Sequence, residues 1–361
     1  MNQIHKYNAA CTDITRESDA SAILVSFLPN IRWATGFTGS NALLITRGDA
    51  ISLITDGRYK DQASAEVPDD VAVYIAENGL MACLDEHGLL EEGDQVVFQS
   101  NHVTVQQLNS WSDRYPKLNF VPVAGMFTEA QGVKSSEEVE AIRSAQRVTD
   151  AVFSELVQWI QPGVTEQQVA AEIVYRHMKR GADKMSFDPI VASGPNGALP
   201  HARPTGRALK MGDLVVIDMG CFLNGYASDM TRTLAIGDPE DEARGAYQAV
   251  LDAQRAALQS AHAGMKAVEL DATARHVLDD AGYGSYFSHS LGHGIGLQIH
   301  EWPRVSKNSD AALPDGAVVT IEPGVYIPGK FGVRIEDIIV LKEGGVENLT
   351  NSRKSLIVIG D

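Results

Sequence analysis

Cysteine is scarce, and its scarcity removes two classes at once. Only Cys11, Cys83 and Cys221 occur, far apart, odd in number and without a Cys-x-x-Cys pair, so neither a disulfide framework nor a zinc ribbon is written here. Positive charge is short as well: 30 Lys and Arg stand against 47 Asp and Glu, a net charge of −17. Such a field repels phosphate backbones and anionic lipid surfaces, which argues against nucleic-acid or membrane partners and leaves the acidic excess to serve solubility. No run approaches the roughly 18 apolar residues of a membrane span. The opening Met1-Asn2-Gln3-Ile4-His5-Lys6-Tyr7-Asn8 lacks a basic segment followed by an apolar one, so a reducing cytoplasm is the expected compartment.

Familiar catalytic signatures are missing too. Gly292-His293-Gly294-Ile295-Gly296 fails as a dinucleotide loop because Leu297 stands where G-x-G-x-x-G needs its last glycine. His300-Glu301 is no zincin motif, since Arg304 stands where the second histidine belongs, and no G-x-S-x-G elbow occurs.

What is present is a chain of 361 residues, 44% hydrophobic and 21% charged, long for one domain and comfortable for two. Between Ser21 and about Val123, short apolar runs at 22–25, 42–45, 51–54 and 71–74 alternate with turn signals, and a helical stretch covers 59–65. A small mixed α/β domain over 1–128 is expected, its first twenty residues showing only a weak helical pattern. After a polar stretch, Ser135 or Ser136 can cap a helix with an acidic first turn that runs to about Ile160. Thr165 with Gln168 has capping-box spacing and opens a helix that Gly181 closes. Helices are expected at 241–262 and 267–281, and strands at 288–295, 318–322, 333–341 and 355–359. The second domain therefore covers 135–361.

The most informative stretch runs from Leu214 to Leu234. Asn224-Gly225 between two β-rich runs signals a two-residue type I′ turn, whose central positions both need φ > 0. Counting back from that turn, Leu223 faces Tyr226, Cys221 faces Ser228, Gly220 faces Asp229 and Asp218 faces Thr231. Asp218 and Asp229 then share a face as diagonal neighbours, with Cα atoms roughly 7–8 Å apart over the bare Gly220. Two carboxylates so placed suit a pair of metal ions about 3.5–4 Å apart. Asp218 also ends Leu-Val-Val-Ile, which reads as buried on both faces, and a buried unpaired carboxylate costs several kcal/mol unless a cation or donors meet it.

Three further stretches carry metal-favouring side chains: Ser288 to Pro303, with His289, His293 and His300; Thr320-Ile321-Glu322-Pro323-Gly324; and Gly332-Val333-Arg334-Ile335-Glu336-Asp337. In the last, period two puts Arg334 and Glu336 on one face and Asp337 on the other. Each stretch alone is weak, because a lone histidine is more often a hydrogen-bonded structural residue than a ligand. The ordered set Asp218, Asp229, His293, Glu322, Glu336 is specific.

With its neighbours, that set resembles residue by residue the ligand pattern of the dinuclear aminopeptidases of the pita-bread fold, a group that includes methionine aminopeptidase, prolidase and aminopeptidase P. Thr35-Gly36-Phe37-Thr38-Gly39-Ser40 and Thr55-Asp56-Gly57-Arg58-Tyr59 resemble the creatinase-like N-terminal domain of Xaa-Pro aminopeptidases. The fold this implies is α/β (α+β) in two domains, the second with antiparallel sheets covered by helices. Two divalent ions are implied, with Asp229 and Glu336 bridging them, Asp218 completing one, and His293 and Glu322 completing the other. Glu322 would also shuttle the proton. His300 would hold the carbonyl oxygen, His201 in Leu-Pro-His-Ala would contact the departing side, His289 would line the pocket and Arg334 would orient Glu336 or its neighbours. Four oxygen ligands to one nitrogen favour Mn2+, with Co2+ or Zn2+ as alternatives.

The resemblance implies an aminopeptidase that cleaves the bond before a proline at the second position, and self-association as a homodimer. An Xaa-Pro dipeptidase is the alternative; it would close the site around the substrate's carboxylate, with Arg58 and Arg203 as candidates. A remote alternative is a metal-free member of the fold, either a binding protein or a creatinase-like enzyme.

Overall fold

The structure, a computed structural model, describes residues 3–360. The outer ends of the expected domains, residues 1, 2 and 361, lie outside the described ones. The chain divides into two compact units, one ending at Gln131 and the next opening at Gly132. No helix among the described residues is long and apolar enough to cross a membrane.

The first unit is built on a six-stranded mixed sheet in the order Val71–Ala76, Ala50–Asp56, Ala42–Arg47, Ala22–Val25, Gln95–Gln99, Asn119–Val123. The middle strands consist of β-branched and leucine residues buried on both faces; Leu24, Leu44 and Leu53 are fully enclosed. The opening residues, whose helical pattern is weak, form the helix Gln3–Ser18, which buries Ile4, Tyr7 and Cys11 and ties Tyr7 to Thr46 by a 2.7 Å hydroxyl contact. Pro122 weakens the β signal of Asn119–Val123, and that strand lies at the sheet edge, where a missing donor costs nothing.

Two capping boxes open the second unit, Ser135 with Glu138 and Thr165 with Gln168. The helices they start, Ser136–Trp159 and Glu166–Lys179, pack Val152, Phe153, Leu156, Val169 and Ile173 onto a four-stranded sheet. That sheet contains Ile190–Ser193, Leu214–Met219, Met230–Ile236 and Val358–Ile359. A five-stranded antiparallel sheet, Glu301–Val305, Gly292–Gly294, Val318–Ile321, Asp337–Lys342 and Gly345–Asn348, is covered by the helices Asp241–Ser260 and Ala267–Asp280. Side chains such as Ile217, Val319 and Ile339 are fully buried, each worth about 1.5–3 kcal/mol of transfer free energy.

One strand departs from expectation. The stretch 333–341 is broken into Phe331–Arg334, which pairs with Gly324–Ile327, and Asp337–Lys342, which joins the five-stranded sheet. Ile335 and Glu336 form the step between them. The step separates the two adjacent acids: Glu336 faces the cavity described below, while Asp337 is turned toward Arg232, Gln254, Asn348 and Lys354.

Candidate active site

The hairpin register read from the turn holds. Asn224 has φ 49° and Gly225 φ 75°, Leu223 pairs with Tyr226, and Thr231 pairs with Asp218. Gly220 has no room for a side chain, because a Cβ there would stand 2.0 Å from the Ser228 carbonyl oxygen. Asp218 and Asp229 are both buried, on a hairpin locked from behind by hydrogen bonds among Thr149, Ser228 and the Cys221 backbone.

Asp218, Asp229, His293, Glu322 and Glu336, together with His201, His289, His300 and Arg334, all line one cavity of about 680 Å³. Ligand atoms of Asp229, His293 and Glu336 lie within 4.8 Å of one another. His293 Nε2 is 3.6 Å from Asp229 Oδ2 and 3.6 Å from Glu322 Oε1. Its other nitrogen, Nδ1, is 3.0 Å from the Gly294 carbonyl oxygen. A carbonyl only accepts, so Nδ1 carries the proton, and in the neutral ring Nε2 presents a bare lone pair to two carboxylates. Burial pushes the His293 pKa down to about 4, which keeps the ring neutral.

The buried positive charge beside these acids is Arg334. Its guanidinium donates to Asp218 Oδ2 at 2.6 Å, to Tyr326 Oη at 2.8 Å, to Thr231 Oγ1 at 3.0 Å and to the Pro200 carbonyl at 3.1 Å. Thr231 in turn donates to Glu336 Oε2 at 2.7 Å. Tyr326 reaches His289 Nε2 at 2.8 Å, and His289 Nδ1 donates to the Ser290 carbonyl, so both ring nitrogens of His289 are engaged. His201 and His300 lie exposed at the cavity, the His300 ring edge-on to His293 with centroids 4.4 Å apart.

One arginine does not balance four acids. Desolvation, then Glu336, Asp218 and Glu322, raises the pKa of Asp229 well above the carboxylate range; desolvation, then Glu322 and Asp218, does the same for Glu336. Desolvation pushes Glu322 up to about 8. Asp218 Oδ1 is buried without a hydrogen-bond partner. A bare imidazole nitrogen facing carboxylates, an orphaned carboxylate oxygen and acids that cannot all ionise are each relieved by cations between them, so the donor set fits divalent metal.

Some contributors were not legible from the sequence. Thr231 and Tyr326 carry the Arg334 links, and Arg304 lines the cavity beside Arg203. Glu166, fully buried, accepts from the backbone and hydroxyls of Ser193 and Thr205 and from Asn196, fastening both flanks of the loop that carries His201. The capping-box spacing located Glu166 on a first helical turn but held no sign of these partners. Arg58 belongs to the first unit, where it grips Asp56 through two contacts of 2.9 Å.

Residues 140–343 match metallopeptidase family M24, and residues 9–131 match the creatinase/prolidase N-terminal domain. The chain belongs to metallopeptidase family M24. A Pyrococcus furiosus Xaa-Pro dipeptidase is 43% identical over 255 residues, 71% of this chain and 73% of that protein. The structure of an Xaa-Pro dipeptidase from Bacillus anthracis superposes with a TM-score of 0.92 at 35% identity, covering 99% of each chain. An X-Pro aminopeptidase from Thermotoga maritima gives 0.88 at 35% identity, covering 95% of this chain and 99% of that one. The α/β fold with a creatinase-like first domain and a pita-bread second domain is therefore the one implied by the sequence, and this M24 chain is a hydrolase.

Proposed function

We propose that this M24 peptidase hydrolyses the bond between a free N-terminal residue and a following proline. The dipeptide Xaa-Pro is its smallest substrate, and Mn2+ is its working metal. The observation that carries the reading is the lone pair of His293 Nε2 facing Asp229 and Glu322 at 3.6 Å, an arrangement that is repulsive without cations and coordinating with them.

Asp229 and Glu336 would be shared by two divalent ions, Asp218 completing one site and His293 with Glu322 the other. Bound there, the metals supply Lewis acidity and an acidified water at neutral pH. Four carboxylates to one imidazole favour Mn2+ over Zn2+ by ligand type, with Co2+ as an alternative. Glu322 takes the proton of the attacking water and delivers it to the proline nitrogen. It suits that exchange because burial in the cavity raises the proton affinity of its carboxylate. His300 donates to the scissile carbonyl oxygen as charge develops on it, and His201 meets the departing prolyl side. Arg334 fixes the Asp218 carboxylate directly and that of Glu336 through Thr231.

Orientation follows from charge. The substrate's ammonium is drawn to the acids, and its carboxylate to Arg203 and Arg304 on the same cavity wall. An Xaa-Pro bond has no amide N–H, so a site that asks for none there accepts what general peptidases handle poorly. The relatives named dipeptidase support the smallest substrate, and the relative named aminopeptidase supports longer ones. A homodimer in the cytoplasm belongs to the same proposal, to be checked by sedimentation and cell fractionation.

The test is hydrolysis of Xaa-Pro and N-acetyl-Xaa-Pro by protein stripped with chelator and reloaded with Mn2+, Co2+ or Zn2+. Activity restored best by Mn2+ and confined to the free amine is expected. Equal rates on the acetylated peptide, or full activity after chelation, would refute the reading.

A further inference from the structure

Beside the catalytic cavity lies a second one of about 500 Å³, which shares His289, Ser290 and Arg304 with it and continues to Ser306, Lys307 and Asn308. The two differ in charge. Acids gather in the first, whereas no carboxylate lines the second. Arg275 on its wall is already matched, gripping buried Asp271 and the carbonyls of Phe287 and His289. Arg304 commits only Nε, to Ser290 Oγ at 3.0 Å, and among the described residues Lys307 has no hydrogen-bond or ion-pair partner. Within a chain of net charge −17, a hydroxyl- and amide-lined recess with two uncompensated cations is shaped for an anion.

We infer that this recess takes the C-terminal carboxylate of a tripeptide Xaa-Pro-Yaa, with Lys307 meeting it one residue beyond the place where Arg304 meets that of a dipeptide. The inference rests on the Xaa-Pro reading above and concerns the length of its substrate. The peptide's amine is fixed at the acids, so its chain runs toward Arg304. An added residue moves the terminal carboxylate outward by about 3.3–3.6 Å. Lys307 follows Arg304 by three positions, so their Cα atoms are at most about 10 Å apart, a gap that the long lysine side chain spans with room to adjust. Ser306 and Asn308 add neutral hydrogen-bonding groups on the same wall. Ser290 and Arg304 line both cavities, which places the second recess next to the Arg304 side of the first.

The experiment measures kcat and KM of the metal-loaded full chain and of Lys307→Met on Xaa-Pro, Xaa-Pro-Yaa and Xaa-Pro-Yaa-amide. In the wild type the tripeptide amide should show a KM about tenfold above that of the acid, the size of one lost charge-assisted contact at a partly exposed site. Lys307→Met should raise the KM of the tripeptide acid by a similar factor and leave the dipeptide and the amide unchanged. Equal KM for acid and amide in the wild type, or a Lys307→Met effect on all three substrates or on none, would overturn the inference while dipeptide cleavage still stood. Failure of the wild type on all three would overturn the Xaa-Pro reading and this inference together.

Discussion

Arg334 holds Asp218 by an N–H to Oδ2 contact of 2.6 Å in a place where both side chains are buried. Because the other oxygen of Asp218 has no partner, the guanidinium orients the carboxylate and leaves one edge of it turned to the cavity. Replacing Arg334 with Met should lower the unfolding free energy by about 3–5 kcal/mol, the cost of stranding buried charge. Arg334→Lys, unable to hold Asp218, Tyr326 and Thr231 together, should fold but lose most of kcat. Urea unfolding and steady-state kinetics check the pair.

Thr231 relays Arg334 to Glu336 and touches neither metal nor substrate in the proposed scheme. Thr231→Val keeps the shape and removes the hydroxyl, so metal affinity should fall about 10–100-fold while stability changes by about 1–2 kcal/mol. Titration of metal-free protein with Mn2+, followed calorimetrically, distinguishes this from Asp229→Asn, which should lower the number of ions bound.

The protein stripped by chelation should become less stable as pH rises from 6.5 to 8. Glu322 shifts from 4.5 to about 8, so across that range the folded state holds a proton that the unfolded chain has released, and stability falls with pH. His293 shifts the other way, from 6.5 to about 4, and contributes a rise in stability that begins near pH 4 and levels off about one pH unit above 6.5, where it is smaller than the fall from Glu322. Thermal melts at pH 6.5 and 8 should show the drop, and Mn2+ should reverse it. A melting temperature that climbs over this interval would contradict the charge balance described for the cavity.

Glu166 should matter out of proportion to its distance from the chemistry. Glu166→Ala leaves the backbone N–H groups of Ser193 and Thr205 unpaired and should cost about 3 kcal/mol. In the variant, the loop carrying His201 should exchange its amide hydrogens faster, and kcat should fall more than metal content does. Against burial, hydrogen bonds from Thr205 and Ser193 hold the Glu166 pKa low, so this contribution is present above about pH 4.5 and is lost in acid.

Gly292 has no room for a side chain in the five-stranded sheet: a Cβ there would stand 1.9 Å from the Thr320 carbonyl oxygen. Gly292→Ala should shift His293 along with the sheet and reduce both melting temperature and metal binding, by about 1–3 kcal/mol in stability.

The sequence was legible where local chemistry dictates geometry. Asn224-Gly225 admits only a tight turn, which sets the register and therefore the relation of Asp218 to Asp229. Capping boxes at Ser135 and Thr165 set helix starts for the same reason. What could not be read depends on contacts between distant segments. The break at Ile335–Glu336 reflects a change of sheet, and nothing in period two announces it. Tyr326 and Arg304 are ordinary residues until folding brings them to Arg334 and Ser290. Alternation says only that at most one of Glu336 and Asp337 faces a common site; the resemblance singles out Glu336, and in the fold it is the step at Ile335–Glu336 that parts the two acids.

That opposition reaches to residues 352–354. Arg232, next to Thr231, and Asp337, next to Glu336, are buried together and ion-paired at 2.8 Å; Arg232 also holds the carbonyls of Ser352 and Arg353, and Asp337 holds Lys354. The tail is thus riveted to the reverse side of two residues that face the cavity. Trimming the chain before Ser352 would strip both members of this buried pair of their outer partners and remove the strand Val358–Ile359, so a clipped tail should weaken metal retention and folding together.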